Sequence, residues 1–396
     1  MSTNDSNVNN IKLCRVVEDL PPSGIRKFFD LAATMKGVIS LGIGEPDYVT
    51  PWAIRESAIY SLENGSTMYT ANQGLPELRK EIARHLEYYY GVKYNPLTEI
   101  LITVGTSEGL DLALRAILNP GDEVIIPDPC YVAYPACVAL AGGKAVTVPT
   151  YEKNDFSLKA KDIKQCITDR TKAIIVANPA NPTGATIPGE ELEEIAKLAL
   201  KHNILVISDE IYERLVYDET HTCFPAIKQM KDHTIYLNGF SKAYAMTGWR
   251  IGYAAANSRI TAAMTKIHQY TMLCASITAQ LAAIEALKQG MSEVKLMITD
   301  YSQRRRIMVN GFREIGLTCY DPHGAFYTFP SIKNTGLTSD EFATRLLEKE
   351  KVAVVPGNVF GSCGEGHVRC CYATSMNDIK EAIKRIGKFV DSLKNK

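Results

Sequence analysis

A lysine and an arginine, Lys242 and Arg250, lie in the run NGFSKAYAMTGWRIGY, eight positions apart behind a strand-like stretch. An amine can attack a carbonyl and carry a proton, and a guanidinium can grip an oxyanion through its forked donors. Taken alone, the pair fits a loop with two solvated cations equally well. Other residues change that balance. Asp209 and Tyr212 stand at the end of a β-branched run in VISDEIYERL, and Asn181 follows another in ANPANPTGAT. Gly105, Thr106 and Ser107 fall between a strand pattern and a helix pattern, where free N–H groups and a helix dipole suit a phosphate. Strand carboxyl ends are where α/β proteins place ligands. Read singly, Asn181 fits a turn as well, since Asn-Pro favours turns, and Asp209 fits a loop cap.

The elements that must position these residues alternate short β-branched runs with amphipathic helices, the pattern of an α/β sheet. Ile100–Val104, Glu123–Ile126, Lys144–Val148, Lys172–Ala177, Ile204–Ser208, Thr234–Leu237 and Ile251–Ala255 read as strands, with Lys144–Val148 expected among the buried ones. Leu110–Leu118 and Tyr134–Ala141 read as helices. Leu192, Ile195, Ala196 and Ala199 form one apolar helix face. A long helix from about Ser292 to Glu314 opens a different region, with strand-like AFYTFP, VAVVP and HVRCCY and a final helix over Asn377–Leu393. The expected division is a disordered tail over 1–12, a segment over 13–48 joining the smaller domain, a large domain over 49–291 and a smaller α+β domain over 292–396.

The 396 residues favour two lobes over one core. Lys plus Arg and Asp plus Glu are 44 each, so no net field selects nucleic acid or an anionic membrane. The polar start MSTNDSNVNN lacks a signal-peptide pattern, and no apolar stretch is long enough to span a bilayer. Ten cysteines without a CxxC pair read as reduced thiols of a cytoplasmic protein. The seven histidines make no metal-ligand spacing, so no metal is expected.

Six motifs in order, LGIGEPD, YTANQGLPELR, NPxNPTG, SDEIY, SK-x-x-x-x-x-G-x-R and RCCYA, resemble the class I/II aminotransferases of pyridoxal-phosphate (PLP) fold type I. The resemblance runs from about residue 20 to the end. It implies an α/β large domain with a mostly parallel seven-stranded sheet flanked by helices, plus a smaller α+β domain. It implies PLP as cofactor, carried by Lys242, with Asp209 facing the pyridine nitrogen to keep it protonated. Tyr212 and Asn181 would bond the ring's phenolic oxygen. Arg250, Ser241, Gly105, Thr106 and Ser107 would hold the phosphate, and Tyr131 would stack on the ring. Tyr69 matches a tyrosine that reaches the neighbouring subunit's phosphate, which implies a homodimer with shared active sites. Arg369, with the backbone around Gly44, would take the substrate α-carboxylate.

Two positions depart from the family pattern. Gly239 stands where many relatives carry a serine, so the phosphate cup loses one hydroxyl. Cys370 and Cys371 follow Arg369 where an aliphatic residue and a serine are usual. The implied reaction is a ping-pong transfer: one amino acid leaves as its 2-oxo acid, then a second 2-oxo acid such as 2-oxoglutarate takes up the amino group. Ser107 occupies the place where one aspartate aminotransferase branch carries a lysine. The remaining motifs are similar to broad-range aromatic, aspartate and N-acetyl-diaminopimelate aminotransferases. The expected donor is therefore an aromatic or broad range of L-amino acids, with aspartate also possible in principle. The alternatives within enzymes are a PLP-dependent C–S β-lyase and an N-acetyl-diaminopimelate aminotransferase. A PLP-binding DNA regulator needs a DNA-binding domain ahead of these motifs, and too few residues precede them.

Overall fold

A computed structural model describes residues 12–22, 24 and 35–394. The tail expected over 1–12 lies, Lys12 apart, outside the described residues. A short helix α1 (Arg15–Asp19) and strand β1 (Ile39–Ser40) precede α2 (Trp52–Glu63) and α3 (Pro76–Tyr90). The chain then alternates β2 (Ile100–Thr103), α4 (Gly105–Ile117), β3 (Glu123–Asp128), α5 (Ala133–Leu140), β4 (Lys144–Pro149) and α6 (Ala160–Cys166). It continues through β5 (Thr171–Ala177), α7 (Gly189–His202), β6 (Leu205–Asp209), β7 (Thr234–Gly239), β8 (Gly252–Ala255), α8 (Ser258–Thr271) and α9 (Ile277–Gln289).

β2 to β8 form one seven-stranded sheet in the order β2-β8-β7-β6-β5-β3-β4. Every pairing from β7 to β4 is parallel, and β8 alone runs antiparallel to both of its neighbours. Central strands of such a sheet are covered on both faces, which is why β3, β6 and β7 read as apolar runs rather than alternations. Helix α7 buries Leu192, Ile195, Ala196 and Ala199, the face its spacing marks out, and stops at Asn203 in the left-handed conformation. Leu192 and Ile195, fully buried, contribute about 1.5–3 kcal/mol each.

Two readings of the sequence in this region need correction. Strand β4 is the sheet's edge and is mostly exposed or half-buried, because it pairs only with β3. Helix α4 begins at Gly105, five residues before the apolar spacing indicates. Its first turn holds Gly105 and Gly109, poor helix formers that hid the start, and is closed by the Glu108 carboxylate accepting from the Val104 N–H at 2.5 Å. Thr106 and Ser107 thus belong to the helix's first turn.

The second region contains α10 (Met291–Glu314), β9 (Tyr327–Thr328), α11 (Ser339–Glu350), β10 (Val352–Ala353), β11 (Val355–Pro356), β12 (Val368–Cys371) and α12 (Met376–Lys394). The VAVVP run is not one strand. The chain turns at Val354 between two sheets, so β10 pairs with β1 while β11 joins β12 and β9. AFYTFP contributes only its two central residues as strand. Helices α10 and α12 pack together over these small sheets.

Candidate active site

The carboxyl ends of β2, β3, β5, β6 and β7 open onto one cavity of about 530 Å³. This is the edge at which a doubly wound sheet leaves a crevice. Thr106 and Ser107 enter it from α4, Tyr131 from the β3–α5 turn and Asn181 from the loop after β5. Asp209 ends β6 and Tyr212 follows it, and Ser241, Lys242 and Arg250 follow β7. Tyr327 and Arg369 close the far side from the second region, together with Gly44 from the loop after β1. Gly105 lies just behind the wall. Tyr69 does not reach the cavity of its own chain and is 82% exposed on the surface.

At one end the first turn of α4 meets Arg250. Gly105 has φ +74°, and any side chain there would run into the Arg250 guanidinium. Arg250 is itself left-handed (φ 52°) and donates to the Thr247 carbonyl at 3.1 Å. The Thr106 hydroxyl oxygen is buried without a partner. Orphaned N–H groups at a helix start, a partnerless hydroxyl and an arginine together make an anion site. The same geometry accounts for Gly239. A β-carbon there would lie 2.8 Å from Thr106 Oγ1 and 3.0 Å from the Gly252 Cα, so with α4 seated this closely on β7 and β8 a side chain at this position would be crowded.

In the middle, the Lys242 amine donates to the Gly44 carbonyl at 2.6 Å and lies 5.6 Å from the Phe326 ring and 5.9 Å from the Tyr212 ring. Its pKa is lowered to about 8, chiefly by burial; Cys371 and Glu45 oppose the shift, and Arg369 and Arg250 add to it. Asp209 is buried and raised above the usual carboxylate value by that burial. Its carboxylate accepts from the Tyr134 hydroxyl at 2.8 Å and from the Ile211 N–H at 3.3 Å, both of which favour the ionised form. The Tyr212 hydroxyl is 2.8 Å from that of Tyr327. Tyr131 stands edge-on to Tyr134, ring centroids 5.7 Å apart.

At the other end, Arg369 donates to the Asn181 carboxamide oxygen at 2.9 Å and to the Gly42 carbonyl at 2.7 Å. Its guanidinium lies 4.5 Å from the Tyr327 ring and 4.9 Å from the Phe360 ring, and its Nε is buried without a partner. A buried arginine with an unspent donor facing a cavity fits a carboxylate. Asn181 is tied to this arginine, a contact that its motif alone does not reveal.

Tyr134 and Tyr327 are the polar groups the sequence reading missed. Tyr134 was visible as the second tyrosine of PDPCYVAYP, but nothing local points it at Asp209, 75 positions away. Tyr327 sits in a run that reads as an ordinary strand.

A family model described as aminotransferase class I and II matches residues 36–386. The Bacillus subtilis protein YugH, described as a candidate aminotransferase, is 55% identical over 94% of this chain and 97% of its own. An aspartate aminotransferase of Pyrococcus abyssi is 47% identical over 93% of this chain and 96% of its own. The crystal structure of an aromatic aminotransferase from Pyrococcus horikoshii superposes with a TM-score of 0.89 at 43% identity, covering 93% of this chain and 99% of that one. The chain belongs to the class I and II aminotransferases. Its fold is PLP fold type I, its cofactor is pyridoxal phosphate, and its reaction is transfer of an amino group from an amino acid to a 2-oxo acid.

The residues present fit that cofactor. The unpartnered Thr106 hydroxyl, the α4 turn and Arg250 suit its phosphate, and the buried Asp209 suits a protonated ring nitrogen. Bound there, pyridoxal phosphate supplies an aldehyde carbon for the amino group and a ring that accepts the electrons released at the substrate Cα.

Proposed function

We propose that this enzyme takes its amino group from L-amino acids with aromatic or other apolar side chains and passes it to 2-oxoglutarate. The observation that carries the reading is the cavity's charge. Among the described residues its lining cations are Lys242, Arg250 and Arg369. Arg250 suits the cofactor phosphate, Arg369 the α-carboxylate, and Lys242 sits between them. That leaves no lining cation for a distal carboxylate, and Ser107 occupies the mouth where a lysine would serve one. Leu110, Val132, Ile211 and the rings of Tyr131 and Tyr327 supply apolar wall instead. The relatives are named for both aspartate and aromatic amino acids, so likeness alone does not choose.

In this reading Lys242 Nζ removes the proton from the substrate Cα. An amine lowered to about 8 is substantially neutral near that pH and can act as a base. Tyr212 and Asn181 would hold the oxygen side of the cofactor ring, and the Asp209 carboxylate would keep the ring nitrogen protonated. Arg369 fixes the α-carboxylate so that the Cα–H faces Lys242. The same reading includes a homodimer with shared sites; the exposure of Tyr69 and Met68, 82% and 80%, supports it, since a second copy would cover them. Free cysteines throughout support a reducing cytoplasmic setting.

The test is kcat/KM with 2-oxoglutarate as acceptor for L-phenylalanine, L-tyrosine and L-aspartate. Aromatic donors are expected to lead by about tenfold or more, the worth of one unmet charge contact. A preference for aspartate overturns the substrate assignment and leaves the amino-transfer chemistry intact.

A further inference from the structure

The turn over residues 357–364 joins β11 to β12 and so carries the Arg369 strand. It is tightly closed: the Gly357 N–H donates to the His367 carbonyl at 2.8 Å, and a β-carbon on either Gly357 or Gly364 would collide with the other's carbonyl. Its tip is seated on the last residue of β3, in the large sheet. Asp128 is 5% exposed there, and its carboxylate accepts from the Ser362 hydroxyl at 2.8 Å and the Cys363 N–H at 3.1 Å. Gly361 (φ +134°) allows this approach, because any side chain would strike the Asp128 carboxylate. Two residues on, the Cys130 N–H donates to the Phe360 carbonyl at 2.8 Å.

This contact joins two parts of the site that come from different regions. On one side β3 runs directly into Tyr131, which lines the cavity. On the other, the Phe360 ring lies 4.9 Å from the Arg369 guanidinium, and Val355, next to the turn, is the strand partner of Arg369. A buried carboxylate is costly unless its hydrogen bonds are met, and such bonds are strong and directional when they are. Asp128 therefore holds the turn in one position rather than merely covering it.

We propose that Asp128 is a positioning residue: by gripping the 361–363 turn it sets where Arg369 stands relative to the ring-stacking face at Tyr131, and so tunes the enzyme's grip on the substrate carboxylate. The inference rests on the reading of Arg369 as the α-carboxylate clamp. Asp128 touches neither substrate nor cofactor and acts through the turn. A displacement of about 1 Å at such a clamp is enough to cost one to two decades in binding or rate.

The experiment measures, on the PLP-loaded enzyme, the Ki of 3-phenylpropanoate, which has a carboxylate and no amine, together with KM and kcat for L-phenylalanine. D128A is expected to raise Ki and KM about tenfold while kcat changes by less than about threefold, the loss of a charged hydrogen-bond acceptor. PLP affinity should stay as in the parent, since the α4 turn and Arg250 are untouched. D128N should restore most of the Ki, because its carboxamide oxygen can still accept from the Cys363 N–H. Should D128A fail to fold, S362A removes one donor only and is expected to raise Ki about threefold. R369A serves as the control. If R369A raises Ki but neither D128A nor S362A does, the positioning role is overturned while the clamp reading stands. If R369A leaves Ki unchanged, it is the clamp reading that fails. A fall in kcat and PLP affinity at constant Ki also overturns the proposal, since it marks a general structural role.

Discussion

Asp209, the last residue of β6, and Glu213, four positions on, are both buried carboxylates, yet their surroundings push them in opposite directions. Asp209 faces the cavity, and burial raises its pKa although Tyr134 and the Ile211 N–H favour its charge. Glu213 faces away, into a packed network behind the strand. There burial is outweighed by Arg214 and by His85, with a hydrogen bond from the Tyr90 hydroxyl, and its pKa falls to about 2. Next to it Glu210 accepts from Ser208, the Phe224 N–H and His221, whose own pKa is raised because Glu210 outweighs its burial. The difference lies in what each carboxylate meets. Glu213 has its counter-charges inside the protein and is a fixed anchor. Asp209 has only the weaker pull of Lys242 in the same cavity, and its best partner is a cation brought by the cofactor.

The comparison breaks if the two carboxylates can be exchanged in effect. D209A is expected to lower kcat/KM about 10³-fold, by removing a preorganised charge at the reacting system, while leaving the unfolding midpoint of the cofactor-free protein unchanged or higher. E213Q should do the reverse, with a loss of about 3 kcal/mol in stability by urea unfolding and a much smaller change in kcat/KM. If E213Q instead abolishes turnover in fully folded protein, the division between anchor and reacting carboxylate fails.

Acid sharpens the same contrast. The folded pKa of Glu213 lies below its ordinary 4.5, so its contribution is complete above that value and is lost as pH falls towards about 2. The loss amounts to about 3 kcal/mol at roughly 1.4 kcal/mol per unit. His221 has the opposite sign. Its folded pKa lies above the ordinary 6.5, so its contribution is complete below 6.5 and fades as pH rises through the raised value. Urea midpoints across pH should fall on both limbs, E213Q losing the acid limb and H221F the alkaline one. The smallest expected effect is that of Y134F, which removes the hydrogen bond to Asp209. It should lower kcat/KM about tenfold at unchanged Tm, with the pH profile of the cofactor's visible absorbance displaced. An unchanged profile would mean that Tyr134 is packing alone.

Much of this was legible along the chain. Lys242, Asp209, Tyr212 and Asn181 stand at or just beyond ends of runs whose β-branched character already marks strands, and parallel strands put such ends on one edge; Arg250 reaches the same edge because it precedes the antiparallel β8. Less legible were the elements made of weak local signals. Helix α4 starts on a glycine, β4 reads as buried although it is an edge, and VAVVP divides between two sheets at Val354 because each half finds a different partner.

The sequence by itself determined the residue types of the site, their order and the edge of the sheet on which they gather, since those follow from periodicity and turn chemistry within short windows. Only the tertiary structure decided which distant groups meet. Tyr134 reaches Asp209 across 75 positions, Tyr327 reaches Tyr212 across 115 and Arg369 reaches Asn181 across 188. Asp128 is joined to Ser362 across 234. Protonation states and clamp positions depend on charges and donors within a few ångströms in space, and no local pattern in the chain specifies which of them those will be.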